Sequence, residues 1–331
     1  MSGSKREQRR AGGCRQVSGR RGFFRFLFRR TLRAIALVFV AASASLLLSR
    51  AAPGDHLDTF GDEQAARAER ARLGLDRPLW QQYLSWIGGA ARLDWGESTA
   101  HAGRPVSGLV AERAPLSALV GGLALAAATL VGIPLGVLTG TRRRGYIPRL
   151  ARGVSLLALS IPPLALSLSL MILAARTGWF PVGGPPPSGS LLEAIPYLVL
   201  PVVALALPIA AALERLQSRS IAEALQDPSI LAARARGLST RRVIWRHAFR
   251  LSLKPVLAVY GVMIGALISG SFIVEYVMAW PGLAGLMYEA LRNRDANLVA
   301  ACAAAGAAFL AAGILVSDVL LALVDPRIEV S

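Results

Sequence analysis

Six stretches of the chain are long, apolar and nearly free of charge: Thr31–Ser49, Ala114–Leu138, Gly153–Ala175, Ile195–Leu213, Val256–Val274 and Leu298–Val324. About 20 apolar residues, each rising about 1.5 Å along a helix, cross the roughly 30 Å hydrocarbon core of a bilayer. Core helices of soluble domains rarely exclude charge for that long. The pattern therefore predicts an all-α, polytopic bundle of six membrane-spanning helices over residues 31–331, behind a basic tail over 1–30. The tail is long, and Leu46-Leu47-Leu48-Ser49-Arg50 carries no small-x-small cleavage signal, so the first span is expected to stay attached. Phe23, Phe24, Phe26 and Phe28 alternate with Arg21, Arg25, Arg29 and Arg30, as expected of a helix entering through the headgroup layer.

The polar segments divide by charge. Arginines crowd Lys5–Arg33, Arg142–Arg152 and Arg234–Lys254, whereas the segment Ala51–Arg113 sets Asp55, Asp58, Asp62, Glu63, Glu69, Asp76, Asp94, Glu97 and Glu112 against seven arginines. Basic loops alternating with neutral or acidic ones follow the positive-inside rule. That places both termini and the loops 140–152 and 214–255 in the cytoplasm, with 51–113, 176–194 and 275–297 outside. Within the first outer loop, Trp80, Tyr83 and Trp86 fall at i, i+3 and i+6 of a short helix opened by Pro78, a stripe suited to the membrane interface.

Composition removes other readings. The net charge of +17 suggests nucleic acid, but a basic binding surface would not skip every second loop, so no nucleic-acid partner is expected. Apolar residues reach 54%, charged residues only 17%, and the mean hydropathy is +0.48. Cys14 and Cys302 sit in different compartments, and His56, His101 and His247 are scattered. Neither a disulfide framework nor a metal-ligand set follows, and no cofactor is expected. No G-x-x-x-x-G-K-[ST] phosphate loop occurs, so the chain is not expected to be an enzyme or to hydrolyse ATP itself. Asp318 is the one acid deep in a predicted span, open to a functional or a structural hydrogen-bonding role. Pro134, Pro162, Pro163, Pro201 and Pro208 interrupt spans 2, 3 and 4 and serve either passive shape or a hinged pathway. The run Ala300–Ala308, with Gly306 inside it, favours close helix packing.

Loop 214–255 is the most specific segment. Asp227 can cap a helix begun by Pro228, Gly237 suits a left-handed C′ end, and Ser239 can cap a second helix running into span 5. In that second helix Arg242, Arg246 and Arg250 form one basic stripe while Ile244, Ala248 and Leu251 occupy another face. The first helix is compact, small-sided and held away from the bilayer, as if to fit into a partner.

These residues resemble a family. Ala232-Ala233-x-x-x-Gly237, then His247-Ala248-x-Arg250-x-x-x-x-Pro255, is similar to the cytoplasmic loop of binding-protein-dependent importer permeases of the oligopeptide, dipeptide and nickel branch. Ile273-Val274-Glu275-Tyr276, Trp280-Pro281-Gly282-Leu283, Asn293-Arg294-Asp295 and Leu323-Val324-Asp325-Pro326-Arg327-Ile328 extend the match, as do Leu73–Pro78 with Gln82-Tyr83 and Ser160-Ile161-Pro162. The resemblance covers roughly residues 30–328. Departures are Leu231, where the superfamily often has Glu, and Pro228, where this branch more often has an aromatic residue. The resemblance implies a permease subunit of an ATP-driven ABC importer in the cytoplasmic (inner) membrane. It would form half of a pathway for peptides or a similar small solute, nickel included. It also implies a second related permease, two ABC ATPase subunits, an extracytoplasmic solute-binding protein and surrounding membrane lipid. Asp227, Leu231, Ala232, Ala233, Ala235, Gly237, Leu238 and Ser239 would carry the coupling to the ATPase. The prolines above, with Glu275, Trp280, Pro281 and Gly282, are pathway or hinge candidates. A self-sufficient secondary transporter or channel is the alternative; it would normally carry more paired acids in mid-span.

The charge alternation makes a direct prediction. On a cysteine-free background in sealed cells, cysteines at Gly61 and Asn293 should react with an impermeant thiol reagent, and one at Ser239 should not. Labelling at Ser239 would invert the topology.

Overall fold

The structure is a computed structural model that describes residues 20–52, 63–72, 74, 76–101, 103–142, 145–184 and 191–324. Cys14, His56, Gly61 and the stretch Asp325–Ile328 lie outside the described residues. The described residues form helices: α1 Arg20–Ala51, α2 Glu63–Arg72, α3 Leu79–Ala90, α4 Val106–Thr141, α5 Tyr146–Ser160, α6 Pro163–Thr177, α7 Leu191–Ala224, α8 Pro228–Ala235, α9 Thr240–Val277, α10 Leu283–Arg292 and α11 Ala296–Val324. Among the described residues no strand forms; one isolated antiparallel bridge joins Glu97 to Pro105.

Five of these helices (α1, α4, α7, α9 and α11) contain stretches long and apolar enough to cross a bilayer singly. The third expected span is not straight. Pro148–Ser160 and Pro163–Thr177 meet at 106°, so they count as one span only as a bent pair. Two consecutive prolines explain the bend: Ile161, preceding Pro162, takes extended backbone at φ −89° and ψ 119°, and both prolines lack an N–H for the ladder. By contrast α4 runs through Pro134, and α7 through Pro201 and Pro208, without interruption. Helices α4, α7 and α9 also extend beyond their apolar blocks, so the first part of the predicted loop 214–255 is the last three turns of α7.

The most extensive helix pair is α4 with α7. Gly132, Gly136 and Gly140 recur every four residues and therefore line one face of α4. A Cβ on Gly132 would lie 2.6 Å from the Ala210 carbonyl oxygen, on Gly136 2.7 Å from that of Glu214, and on Gly140 it would run into that of Ser218. The backbones are in van der Waals contact, the arrangement small residues permit where lipid supplies no hydrophobic drive. Around this seam the core gathers Val120, Ala124 and Ala128 of α4, Leu205, Ile209 and Leu213 of α7, and Tyr260, Ile264 and Leu267 of α9. Helix α11 packs on α9, its Gly313 against Ile264. Helix α1 is peripheral, held to α11 partly by an Arg30–Asp318 ion pair at 3.1 Å. Asp318 thus joins two helices.

The glycine seam predicts a contrast within one helix. Gly136→Val should lose roughly 1–3 kcal/mol or more by overpacking, read as a lower melting temperature and folded yield in detergent. Gly122→Val, whose Cβ would meet nothing within 4 Å, should behave as wild type.

Candidate functional site

Helix α8 leaves the end of α7 through a tight turn. Asp227 caps it: its Oδ1 accepts from the Ser229 amide at 2.8 Å and the Ser229 hydroxyl at 2.5 Å. These two donors hold the Asp227 carboxyl below the usual carboxylate range, so the cap carries its charge at neutral pH. Pro228 occupies the first turn, where its missing N–H costs nothing. At the other end Gly237 adopts φ +81°, and the Gly237 amide donates to the Arg234 carbonyl at 2.9 Å. A left-handed residue closes the helix as its sequence suggests. Ser239 takes the extended N-cap conformation before α9, but its hydroxyl makes no capping bond. This part of the expectation needs correcting: Ser239 marks the boundary by backbone conformation alone.

The two faces of α8 differ. Ile230, only 2% exposed, packs with Ile221 of α7 and with Val243 and Ala248 of α9, and Leu238 covers the same cluster. Leu231, Ala232 and Ala235 face outward, Leu231 at 52% exposure. Ala233, expected among the outward residues, is instead buried at 2%. Residues 228–235 make barely two turns, so the face holding Ile230 inward takes Ala233, three residues on, with it. Residues Val243–Ala248 form a π-helical turn at the start of α9. Arg242, Arg246 and Arg250 nevertheless remain exposed as the basic stripe requires.

A second constellation sits at the other end of α9. Glu275, 1% exposed, accepts from Ser117 Oγ of α4 and Ser271 Oγ, both at 2.8 Å, and from the Ala284 amide of α10 at 3.2 Å. Ser117 Oγ in turn accepts from the Leu283 amide at 2.8 Å. The carboxyl therefore caps α10, the place where helix dipole and free amides favour an acid. Trp280, 3% exposed, donates from Nε1 to the Leu116 carbonyl at 3.3 Å. Gly282 is required by contact: a Cβ there would lie within 2.5 Å of Glu275 Oε2 and Ser117 Oγ. So Glu275, Trp280, Pro281 and Gly282 come together as one turn pinning α9, α10 and α4. Pro163 stands near Gly270 of α9 at the elbow, while Pro134, Pro201 and Pro208 are dispersed along α4 and α7.

Some polar clusters carried no sequence signal. Glu214, just past the fourth apolar block, is fully buried on α7 and accepts from the Thr139 hydroxyl of α4, while Arg152 of α5 donates to the Thr139 carbonyl at 2.7 Å. They border a 350 Å³ cavity at the base of α4, α5 and α7. Gln217 donates to Ser252 at 2.8 Å across to α9. Asp295 caps α11 through the Leu298 amide and also accepts from buried Ser98 Oγ at 2.6 Å, tying the loop 91–105 to the α10–α11 corner. Only its place in the Asn293-Arg294-Asp295 stretch marked Asp295 beforehand.

This is the architecture of a polytopic helical membrane subunit with an exposed two-turn helix between two of its spans, and the comparisons agree. The family described as "Binding-protein-dependent transport system inner membrane component" matches residues 132–330, and the chain belongs to it. The oligopeptide transport system permease protein AppB of Bacillus subtilis (strain 168) is 34% identical over 312 residues, 92% of this chain and 99% of that protein. The oligopeptide transport system permease protein OppB of Salmonella typhimurium is 32% identical over 311 residues, 92% and 99% of the two chains. A putative peptide permease protein of Brucella suis biovar 1 is 31% identical over 318 residues, 93% and 99%. The chain is a multi-pass inner-membrane permease subunit of an ABC importer rather than a self-sufficient carrier or channel, and its part in the transporter is that of a membrane component, not an enzyme.

The α9–α10 turn gives a stability prediction. Glu275→Ala strands the Ser117 and Ser271 hydroxyls and the Ala284 amide, and should cost about 2–3 kcal/mol in thermal melts of the purified protein. Glu275→Gln keeps an acceptor and gains a donor, and should lose less than half as much.

Proposed function

We propose that the chain forms one half of the translocation pathway of a peptide importer. A second, related permease supplies the other half, two ATPase subunits drive it, and an extracytoplasmic binding protein delivers the solute. Both termini and α8 lie in the cytoplasm, where α8 seats in a cleft of an ATPase. The observation that carries this reading is the build of α8: capped by Asp227, anchored by Ile230, closed by left-handed Gly237, and presenting Leu231, Ala232 and Ala235 outward. A short helix fixed this firmly on its inner face, with Leu231, Arg234 and small alanine side chains on its outer one, is suited to insertion into a partner. The peptide class is supported by the names of the relatives, which are oligopeptide or peptide permeases. Glu275, Trp280 and Gly282 then act as a structural lock at the far end of α9, and the elbow at Pro162–Pro163 is the hinge candidate among the prolines.

Two outward changes test the reading. Ala232→Asp places a charge on the docking face without entering the Ile230 cluster. It should reduce copurification of the ATPase in mild detergent and abolish peptide uptake at wild-type expression. Gly237→Val, forced to φ +81°, strains the joint by about 1 kcal/mol or more and should lose uptake while keeping most ATPase association. Full transport by both variants would remove α8 from the coupling path.

A further inference from the structure

Beneath α3, between α1 and α11, lies an open crevice of about 530 Å³, in the size range of ligand sites, roughly 300–1,000 Å³. Its walls are almost wholly apolar, and Ala34 and Ala42 of α1 with Ala308 and Ala312 of α11 are among its lining, side chains small enough to leave it open. Ile35 and Phe39 stand exposed along its rim. Both long walls belong to helices apolar enough to cross a bilayer, so the medium meeting the crevice is hydrocarbon. Water would find almost no hydrogen-bonding partner along these walls.

A smaller, polar recess of about 210 Å³ adjoins it, and Trp86 and Trp95 line both. Among the described residues Arg77 and Arg50 line the recess with the acid Asp94, whose Oδ1 already accepts from the Gly96 amide at 3.0 Å. Among the described residues Arg50 donates to Gln82 at 2.7 Å and to Asn297 at 3.1 Å, and Gln82 donates to the Arg77 carbonyl at 2.7 Å. The Trp86 indole N–H, at the boundary of the two spaces, is buried and finds no acceptor among the described residues. An apolar slot ending at a cationic recess, with an unused donor between them, has the polarity of one kind of molecule.

We propose that the crevice and the recess together hold one anionic phospholipid. An acyl chain lies along α1 and α11, the Trp86 N–H faces the interfacial ester region, and the phosphate lies at Arg77. The site lies in the leaflet that meets the C-terminal end of α1, and Tyr83, which donates to Ser43 of α1 at 2.9 Å, keeps α3 in place as its roof. This lipid site depends only on the chain's membrane location, so it stands or falls separately from α8.

The test uses the full transporter in mild detergent, exchanged into defined phosphatidylglycerol or phosphatidylethanolamine. Native mass spectrometry then counts the lipids retained by each chain. Wild type should keep one phospholipid through extensive washing, with phosphatidylglycerol favoured about tenfold. Ala312→Phe, whose ring enters the crevice rather than the helix contact, should abolish retention. Arg77→Gln should keep a lipid but lose the headgroup preference. Independently of any variant, phosphatidylglycerol with brominated acyl chains should quench tryptophan fluorescence in wild type, and the quenching should persist after dilution into detergent. Undiminished retention in Ala312→Phe, or quenching that vanishes on dilution, overturns the proposal. So does efficient cross-linking of a cysteine at Ala308 to a second permease, because a protein segment would then fill the crevice.

Discussion

Everything in this bundle is referred to the seam between α4 and α7. Lipid gives apolar side chains no reason to leave it, so the helices hold together by contact and by hydrogen bonds. Three glycines let α4 rest directly on the α7 backbone at Ala210, Glu214 and Ser218. The seam also sets the positions of polar groups that could not otherwise be tolerated. Glu214 is buried because Thr139, one residue before Gly140, meets it across the seam, and Gln217, packed on Gly136, reaches Ser252 of α9. A carboxyl and an amide thereby each gain one partner where a wholly unpartnered polar group would cost several kcal/mol, while Glu214 Oε2 and Gln217 Oε1 find none among the described residues.

Four of the acids share a logic. Glu275 caps α10, Asp295 caps α11, Asp227 caps α8, and Asp318 pairs with Arg30. Each acid found by chemistry or by position in a motif turns out to terminate or join helices. The corners of the bundle are therefore fixed by charge and its middle by small residues.

Much of the fold was legible in the sequence, because long hydrophobic runs report directly on a bilayer. The helices, the Asp227 and Gly237 ends of α8 and the exposed arginine stripe followed from residue type and spacing. The angle at Ile161–Pro162 did not, because proline removes hydrogen bonds without specifying a bend. Nor did the inward turn of Ala233, since a two-turn helix of small residues has almost no periodicity to read. The glycines of α4 were visible but not distinguished from other small residues; what separates Gly132 or Gly136 from Gly122 is the neighbouring backbone, which only the tertiary structure supplies. Glu214 was hidden for a related reason: it marks the end of an apolar block, and a block's end says nothing of whether the helix continues.

The Ile221–Ile230–Val243–Ala248 cluster has a mechanical consequence. It clamps α8 to α7 on one side and to α9 on the other, with no slack residue between the clamp and either span. A load applied to the Leu231 face is therefore split at its point of entry between two levers. One runs through α7 into the glycine seam; the other runs along α9 toward the rigid corner at Glu275. Because the two levers have different fulcra, pushing α8 in one direction produces a torque between them rather than a common translation. The elbow of α5 and α6, with both arms packed against α7 and α6 also against α9, lies where that torque would be absorbed.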